Sequence, residues 1–504
     1  MARPAVPAVT PASRVAAMAL RFAPVLHVLS AAVLLFSPAM LVPLGVSRLL
    51  GDGAASAFER GFLVTFVTGL VVFLATRGLH RRELQPRDGF LLVTLVWTVV
   101  PGFATIPLLQ VVPGMAFTDA FFEAVSAMTA TGATVITGLD GLPPSINLWR
   151  ALMVWIGGMG IIVLAVAILP LLGVGGSQLF KAETPGCMKD TKITPRIADT
   201  AKGLWLVYFV FSAICVLAYR LAGMSWIDAL VHAGTTMGLG GFSSYDASIG
   251  RFDSPAIEAV SIAFMTLAAI NFATHFLALR RRSPLAYVAD GEARRVVIWL
   301  AVSSLLVSVV LVANGTYADL GTALRHATFN VVSVATTTGY ASVDYAQWPA
   351  FAPIWMLFLS CFVTSSGSTG GGIKMIRAVL LFKQTVREMT RTIHPRAVVP
   401  VKFGEQVIEN NVIFAVLAFM LMWGGTIIVM SMVLLASGLD IVTAVSATIA
   451  CVNNLGPGLG VVGPAGTFQP LTDFQTWVCT FTMLLGRLEL FTVLVLLTPA
   501  FWRK

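Results

Sequence analysis

Apolar residues run through this chain in long stretches broken by short polar connections, a pattern that recurs from residue 22 to residue 499. Crossing a bilayer as a helix takes about 20 apolar residues. Ten stretches meet that length, at roughly 22–47, 59–77, 88–112, 147–174, 198–222, 254–280, 296–313, 349–385, 407–437 and 472–499. They predict an all-α polytopic membrane protein. The third, fifth, seventh and ninth are each followed by a short apolar helix and a glycine-containing turn, within 119–140, 228–246, 323–344 and 440–463. Such a helix is too short to span. A segment that dips into the membrane and returns as loop is tolerated only where it lines water or is buried in protein, so these four read as re-entrant pore segments.

The four segments are copies. Val125-Ser126-Ala127-Met128-Thr129-Ala130-Thr131-Gly132 aligns with Val332-Ser333-Val334-Ala335-Thr336-Thr337-Thr338-Gly339, identical at five of eight positions. Gly241-Phe242-Ser243-Ser244-Tyr245-Asp246 aligns with Gly339-Tyr340-Ala341-Ser342-Val343-Asp344, and the fourth copy reads Asn453-Asn454-Leu455-Gly456-Pro457-Gly458. Gly132, Gly241, Gly339 and Gly456 are separated by 109, 98 and 117 residues, each interval holding two spans and one pore segment. A repeat of this kind decides the fold. The expectation is four helix–pore-loop–helix repeats around a central pore, preceded by two extra N-terminal helices. The boundaries expected are a tail at 1–21, the two extra helices at 22–87, and repeats at 88–180, 181–282, 283–402 and 403–504.

Composition and charge fit that picture. Hydrophobic residues make up 57% of the 504 and charged residues only 11%, against about 25% charged in a soluble domain. A net charge of +9 is compatible with a nucleic-acid partner, but 26 of the 33 Lys and Arg gather in loops on one side of the predicted spans. That asymmetry orients a membrane protein and excludes nucleic acid, placing both termini in the cytoplasm. The first apolar stretch is too long for a signal-peptide core and reads as a retained helix. Cys187, Cys215, Cys361, Cys451 and Cys479 have no metal-ligand spacing and no even count for a disulfide framework. They read as small apolar fillers.

The chemistry lies in the loops. An ion entering a pore sheds water, and rings of backbone carbonyls replace that shell. Turning successive carbonyls toward one axis demands backbone angles that glycine adopts at little cost. The candidate ion-coordinating residues are therefore Ala130, Thr131 and Gly132; Leu239, Gly240 and Gly241; Thr337, Thr338 and Gly339; and Asn454, Leu455 and Gly456. The short helices before them aim their partially negative C-terminal ends at the ion. One key glycine per loop, where a TVGYG filter has two, implies a shorter filter and weaker discrimination of K⁺ from Na⁺.

Two further features stand out. The eighth stretch contains Ser365-Ser366-Gly367-Ser368-Thr369-Gly370-Gly371-Gly372-Ile373-Lys374. Each glycine costs a helix interior roughly 1 kcal/mol, so the helix should unwind there. The match to a phosphate-binding loop fails, because the Lys is one place late and no Ser or Thr follows. The remaining readings are an intramembrane gate or a passive kink. In the last stretch, Arg487 and Glu489 lie inside the membrane, where charge is expensive and usually partnered. Arg487 has three readings: it hydrogen-bonds carbonyls of the glycine-rich loop, it repels cations from a closed path, or it pairs with Glu489 or another carboxylate. His232, His275 and His326 read as packing or hydrogen-bonding residues.

Taken together, Trp155-Ile156-Gly157-Gly158-Met159-Gly160, the four loops, the 367–374 break and residues 484–503 resemble the Trk/Ktr/HKT potassium transporter superfamily, and most nearly its TrkH/TrkG-type membrane subunits. The resemblance covers the chain from about residue 88 onward. It implies potassium uptake across a bacterial inner membrane, with K⁺ as the transported ion and no other cofactor. It implies homodimers in membrane lipid, each protomer with its own pore. It also implies a cytoplasmic TrkA-type nucleotide-binding regulatory subunit that acts on a gate formed by Gly367, Gly370, Gly371, Gly372, Lys374 and Arg487. Ala130 departs from the Thr common there, and the second loop is richer in glycine. Sodium or ammonium permeation on the same scaffold is the alternative. An integral-membrane enzyme is the distant one, and the chain offers no D-x-x-x-D or H-E-x-x-H constellation for it.

Overall fold

The computed structural model describes residues 11–78, 85–163, 197–404 and 406–503. The first ten residues, Arg81, Arg82, the basic segment 181–196 and Cys187 lie outside the described residues.

The described residues are mostly helical. A leading unit comprises α1 (Pro11–Phe36), α2 (Leu41–Leu50) and α3 (Ala55–Thr76). Gly61 and Gly69 of α3 meet Met40 and Leu34 with almost no clearance, the close approach that small residues allow between membrane helices. The outer face of α3, with Leu63, Val67 and Val71, is exposed, as a surface solvated by lipid tails should be.

Four units follow. The first holds α4 (Pro86–Val111), α5 (Phe117–Met128) and α6 (Pro144–Val163). The second holds α7 (Ile197–Leu221), α8 (Trp226–Gly238), α9 (Pro255–Ala268) and α10 (Phe272–Arg281). A short α11 (Leu285–Ala289) leads into the third, with α12 (Gly291–Ala313), α13 (Leu320–Ala335), α14 (Phe351–Ser360) and α15 (Met375–Ile393). A two-stranded antiparallel ribbon, β1 (Lys402–Phe403) with β2 (Gln406–Val407), precedes the fourth. That unit holds α16 (Asn410–Ala436), α17 (Ile441–Asn453), α18 (Asp473–Arg487) and α19 (Phe491–Leu494), and α20 (Pro499–Trp502) follows it. In every unit a long helix, a short one of 12 to 16 residues, and a returning loop succeed one another.

Six described helical segments are long and apolar enough to cross a membrane. The predicted span at 254–280 is instead bent by 96° between α9 and α10, and that at 472–499 by 110° after α18. The first bend falls at Asn271, whose side chain caps α10 by accepting from the Ala273 amide at 2.9 Å. At the second, Glu489 and Leu490 both take positive φ, and Glu489 pairs with buried Arg377 at 2.8 Å. The span expected at 349–385 is broken between α14 and α15, where the glycines cluster. The one expected at 147–174 is described only to Val163.

Apolar burial falls into two main clusters. One joins α4, α5 and α6 to α17 and α18; the other joins α7 to α10 with α12, α13 and α14. Leu455 of the fourth loop belongs to the second cluster and Phe242 of the second loop to the first. The loops thus interlock the two halves.

Candidate functional site

The four short helices end alike. The amide of Thr131 bonds the Ser126 carbonyl at 2.8 Å, Gly240 that of Thr235 at 2.9 Å, Thr338 that of Ser333 at 2.8 Å and Leu455 that of Ala450 at 2.8 Å. One residue earlier, the amides of Ala130, Leu239, Thr337 and Asn454 bond carbonyls three residues back. This is the Schellman closure of a helix, which places its C′ residue in the left-handed region. Here that residue is never glycine. Ala130, Leu239, Thr337 and Asn454 take φ of 52°, 54°, 59° and 53°. Such a residue costs roughly 1–2 kcal/mol. Four matching outliers indicate a backbone held by its surroundings, and strain of this kind clusters at functional sites.

Two residues later comes the glycine, again with positive φ: 80° at Gly132, 60° at Gly241, 88° at Gly339 and 100° at Gly456. The reason for glycine is also steric. A β-carbon at Gly132 would overlap the Gly240 carbonyl oxygen, one at Gly241 the Thr338 oxygen and one at Gly339 the Leu455 oxygen. At Gly456 the Thr131 oxygen lies 2.8 Å away. Each loop therefore presses its glycine on the next loop's carbonyl, and the fourth returns to the first. The ring closes. All twelve residues singled out in the sequence lie in it; nine are buried, and Gly132, Gly241 and Gly339 are half-buried.

Outside the ring is a cavity of about 220 Å³, lined by Gly132, Gly241, Gly339 and Pro457 together with Arg150, Asp246 and Phe468. Three of the short helices are capped at their outer ends by Ser225, Asp319 and Asp440. The hydroxyl and amide of Thr443 hold the Asp440 carboxyl below its ordinary pKa.

On the opposite side lies the glycine-rich break. Its amides bond outside it: Ser365 to the Ala269 carbonyl of the second unit at 2.9 Å, and Gly371 to the Thr337 hydroxyl of the third loop at 2.9 Å. The Thr369 hydroxyl donates to the Met237 carbonyl at 3.0 Å. A β-carbon at Gly371 would overlap the Asn453 oxygen. Lys374 donates to the Gly370 carbonyl within the break. Arg487 is 4% exposed and donates to the Thr369 carbonyl at 2.9 Å and the Gly157 carbonyl at 3.0 Å. Of its three sequence readings, the hydrogen bond to the break is present, while Glu489 pairs with Arg377 instead. The gate candidates Gly367, Gly370, Gly371, Gly372, Lys374 and Arg487 are thus brought together beside the second, third and fourth loops.

A model of the TrkH family, described as a cation transport protein, matches residues 54–504. The chain belongs to the TrkH family of cation transport proteins. Trk system potassium uptake protein TrkH of Halomonas elongata is 46% identical over 482 residues, which span 95% of this chain and 99% of that protein. Its counterpart in Escherichia coli is 42% identical, over 96% of this chain and all of that one. The crystal structure of the potassium transporter TrkH from Vibrio parahaemolyticus superposes with a TM-score of 0.88 at 42% identity, covering 96% of this chain and 100% of that one. The family is one of transporters, not enzymes.

In this TrkH-family chain several residues escape sequence reasoning. Glu292, 1% exposed at the start of α12, accepts the amides of Ser366 at 3.3 Å and Ile376 at 3.0 Å. It thereby clasps both ends of the glycine-rich break. Arg150, seven residues into α6, is 1% exposed and pairs with Glu123. The signal available was weak: a Glu nine residues before a key glycine, amid the apolar stretch 120–125. His232 and His275 are hydrogen-bonded on both ring nitrogens.

Proposed function

We propose that this chain takes up potassium across the bacterial inner membrane, through a pathway narrowed by the four glycine loops and closed from inside by the 365–374 break. The observation that carries this reading is the closed ring of glycine–carbonyl approaches among Gly132, Gly241, Gly339 and Gly456. Carbonyls ordered around one axis can replace the water of a dehydrating cation. The four short helices end at that ring, and their partially negative C-termini favour a cation there. The relatives named above are potassium uptake proteins of Trk systems. By the same reading the active form is a homodimer in membrane lipid with cytoplasmic termini, and a TrkA-type nucleotide-binding subunit acts on the break.

The test is growth of a potassium-uptake-deficient bacterium on low potassium, with and without a TrkA-type partner, beside a Gly339→Ser variant. Rescue by the parent, with altered Na⁺ or K⁺ dependence in the variant, supports the reading. Absence of rescue with the protein present in the membrane, and flux of Na⁺ or ammonium instead, replaces it.

A further inference from the structure

Each pore helix carries a polar residue facing the strand that leaves its loop. Nine residues before the glycine stand Glu123, His232 and Asn330, and Ser446 stands ten before the fourth. Their partners lie two or three residues after the glycine. Glu123 accepts the Thr134 hydroxyl at 3.0 Å and the Val135 amide at 3.1 Å. His232 bonds the Ser243 hydroxyl at 2.9 Å. Asn330 donates to the Ser342 hydroxyl at 3.0 Å and accepts its amide at 3.3 Å. Ser446 donates to the Leu459 carbonyl at 3.1 Å and accepts its amide at 2.8 Å. Each loop is thus braced from behind at one equivalent place.

Only the first brace is ionic. Arg150 bonds Glu123 through Nε at 2.8 Å and Nη2 at 2.7 Å, and Nη2 also reaches the Thr134 hydroxyl at 3.3 Å. Its Nη1 donates to Asn147 at 3.2 Å and, across the unit boundary, to the Ser243 carbonyl at 3.2 Å. The guanidinium lies 4.1 Å from the Phe242 ring centre. A planar fork of five donors satisfies this set; an ammonium does not. Arg150 also lines the cavity outside the ring, so Glu123 offsets a positive charge at the cation's way in.

We propose that Glu123 and Arg150 are a positioning pair for ion selection. They fix the first loop against the second, and their charge balance sets how readily a cation enters the ring. The proposal rests on the ring being the selectivity filter. Removing one partner of a buried ion pair leaves the other uncompensated. Glu123→Gln then exposes entering K⁺ to an unbalanced cation, whereas Arg150→Gln leaves an unbalanced carboxylate. The two variants act on K⁺ entry with opposite sign, which loss of folding alone does not produce.

The experiment is K⁺ uptake with Na⁺ competition by the full chain in potassium-uptake-deficient cells, at matched membrane levels. Glu123→Gln should raise the half-saturating K⁺ concentration and Arg150→Gln lower it, each by roughly threefold or more, at the lower end of coupling within one network. Arg150→Lys should keep half-saturation near the parent's but admit more Na⁺. The double variant Glu123→Gln with Arg150→Gln should restore half-saturation yet still admit more Na⁺. Shifts of the same sign in both single variants, or a parental Na⁺ ratio in the double variant and Arg150→Lys, overturn the proposal. Should the single variants fail to reach the membrane, Thr134→Val keeps the ion pair and removes one brace; it should admit more Na⁺, and a parental ratio there counts against the pair. Gly339→Ser is measured alongside. If it alone changes the Na⁺ ratio, the filter reading stands and the pair does not; if it too is without effect, the filter reading fails first.

Discussion

Gly371 sits so close to Asn453 that a β-carbon on the glycine would overlap the asparagine's carbonyl oxygen. The intramembrane break and the end of the fourth pore helix are therefore in backbone contact, with no side chain between them. Gly371→Ala should push the break away from this carbonyl and raise uptake in the absence of a regulatory partner, leaving the K⁺/Na⁺ ratio as in the parent. Gly425 in α16 has nothing within 4 Å, so Gly425→Ala is the matched control and should transport normally. Unchanged flux in Gly371→Ala, measured by rubidium uptake, would remove the break from the gating reading.

The four ring glycines should not respond equally. A β-carbon overlaps a neighbouring oxygen at Gly132, Gly241 and Gly339, but is 2.8 Å from one at Gly456. All four keep positive φ, so alanine is strained everywhere. Gly456→Ala should be the mildest of the four in uptake rate and ion preference, and equal losses across the set would contradict the steric ranking.

Arg487 offers a test between tether and barrier. Its bonds to the Thr369 and Gly157 carbonyls are charge-assisted, each worth roughly 1.5–3 kcal/mol. Arg487→Gln should weaken closure and raise partner-independent uptake about tenfold, the effect of 1.4 kcal/mol. Arg487→Lys keeps the charge but loses the fork. If lysine behaves as glutamine does, the residue is a tether; if it behaves as arginine, its charge is what repels cations.

Glu292 should matter for the same loop from the other side. It receives amides from Ser366 and Ile376, and Glu292→Ala leaves both seeking partners at a cost of about 1–3 kcal/mol each. Lower thermal stability in detergent, with more protease cleavage between 361 and 376, is the expected result. Glu292→Gln, which can still accept one amide, should fall between.

Acid should loosen the outer ends of the pore helices. The Asp440 carboxyl is stabilised as an anion by the Thr443 hydroxyl and amide, which lowers its pKa from the ordinary 3.8. A group lowered on folding contributes stability above its unfolded value and loses it as pH falls through the folded one. The contribution is present at neutral pH and disappears below about pH 4. A melting series in detergent should show this step in the parent and a smaller one in Asp440→Asn, whose amide oxygen still caps the helix.

Much of the architecture was legible because it repeats. Four glycines at similar spacing, each after an apolar helix too short to span, marked the ring, and clustered glycines marked the break in the eighth stretch. The left-handed residues two places earlier were not legible. Ala130, Leu239, Thr337 and Asn454 share no side-chain property, since only the helix closure and the packed neighbour fix their backbone. The two sharp bends were hidden for a related reason. Asn271 is one polar residue in an apolar run, and the turn at Glu489 and Leu490 contains neither glycine nor proline. Tertiary contacts with Gly367 and Arg377 hold them. Glu123 and Arg150 lay 27 residues apart in sequence, and nothing in either segment announced that they meet.

The ring closes within one polypeptide, and its quadrants are not identical: alanine, leucine, threonine and asparagine occupy the same left-handed position. In a homotetrameric pore any mutation is multiplied by four and the axis stays symmetric. Here a single base change alters one quadrant and leaves three intact. Such a chain can be tuned in quarter steps, and its natural variants should include ones whose ion preference is intermediate.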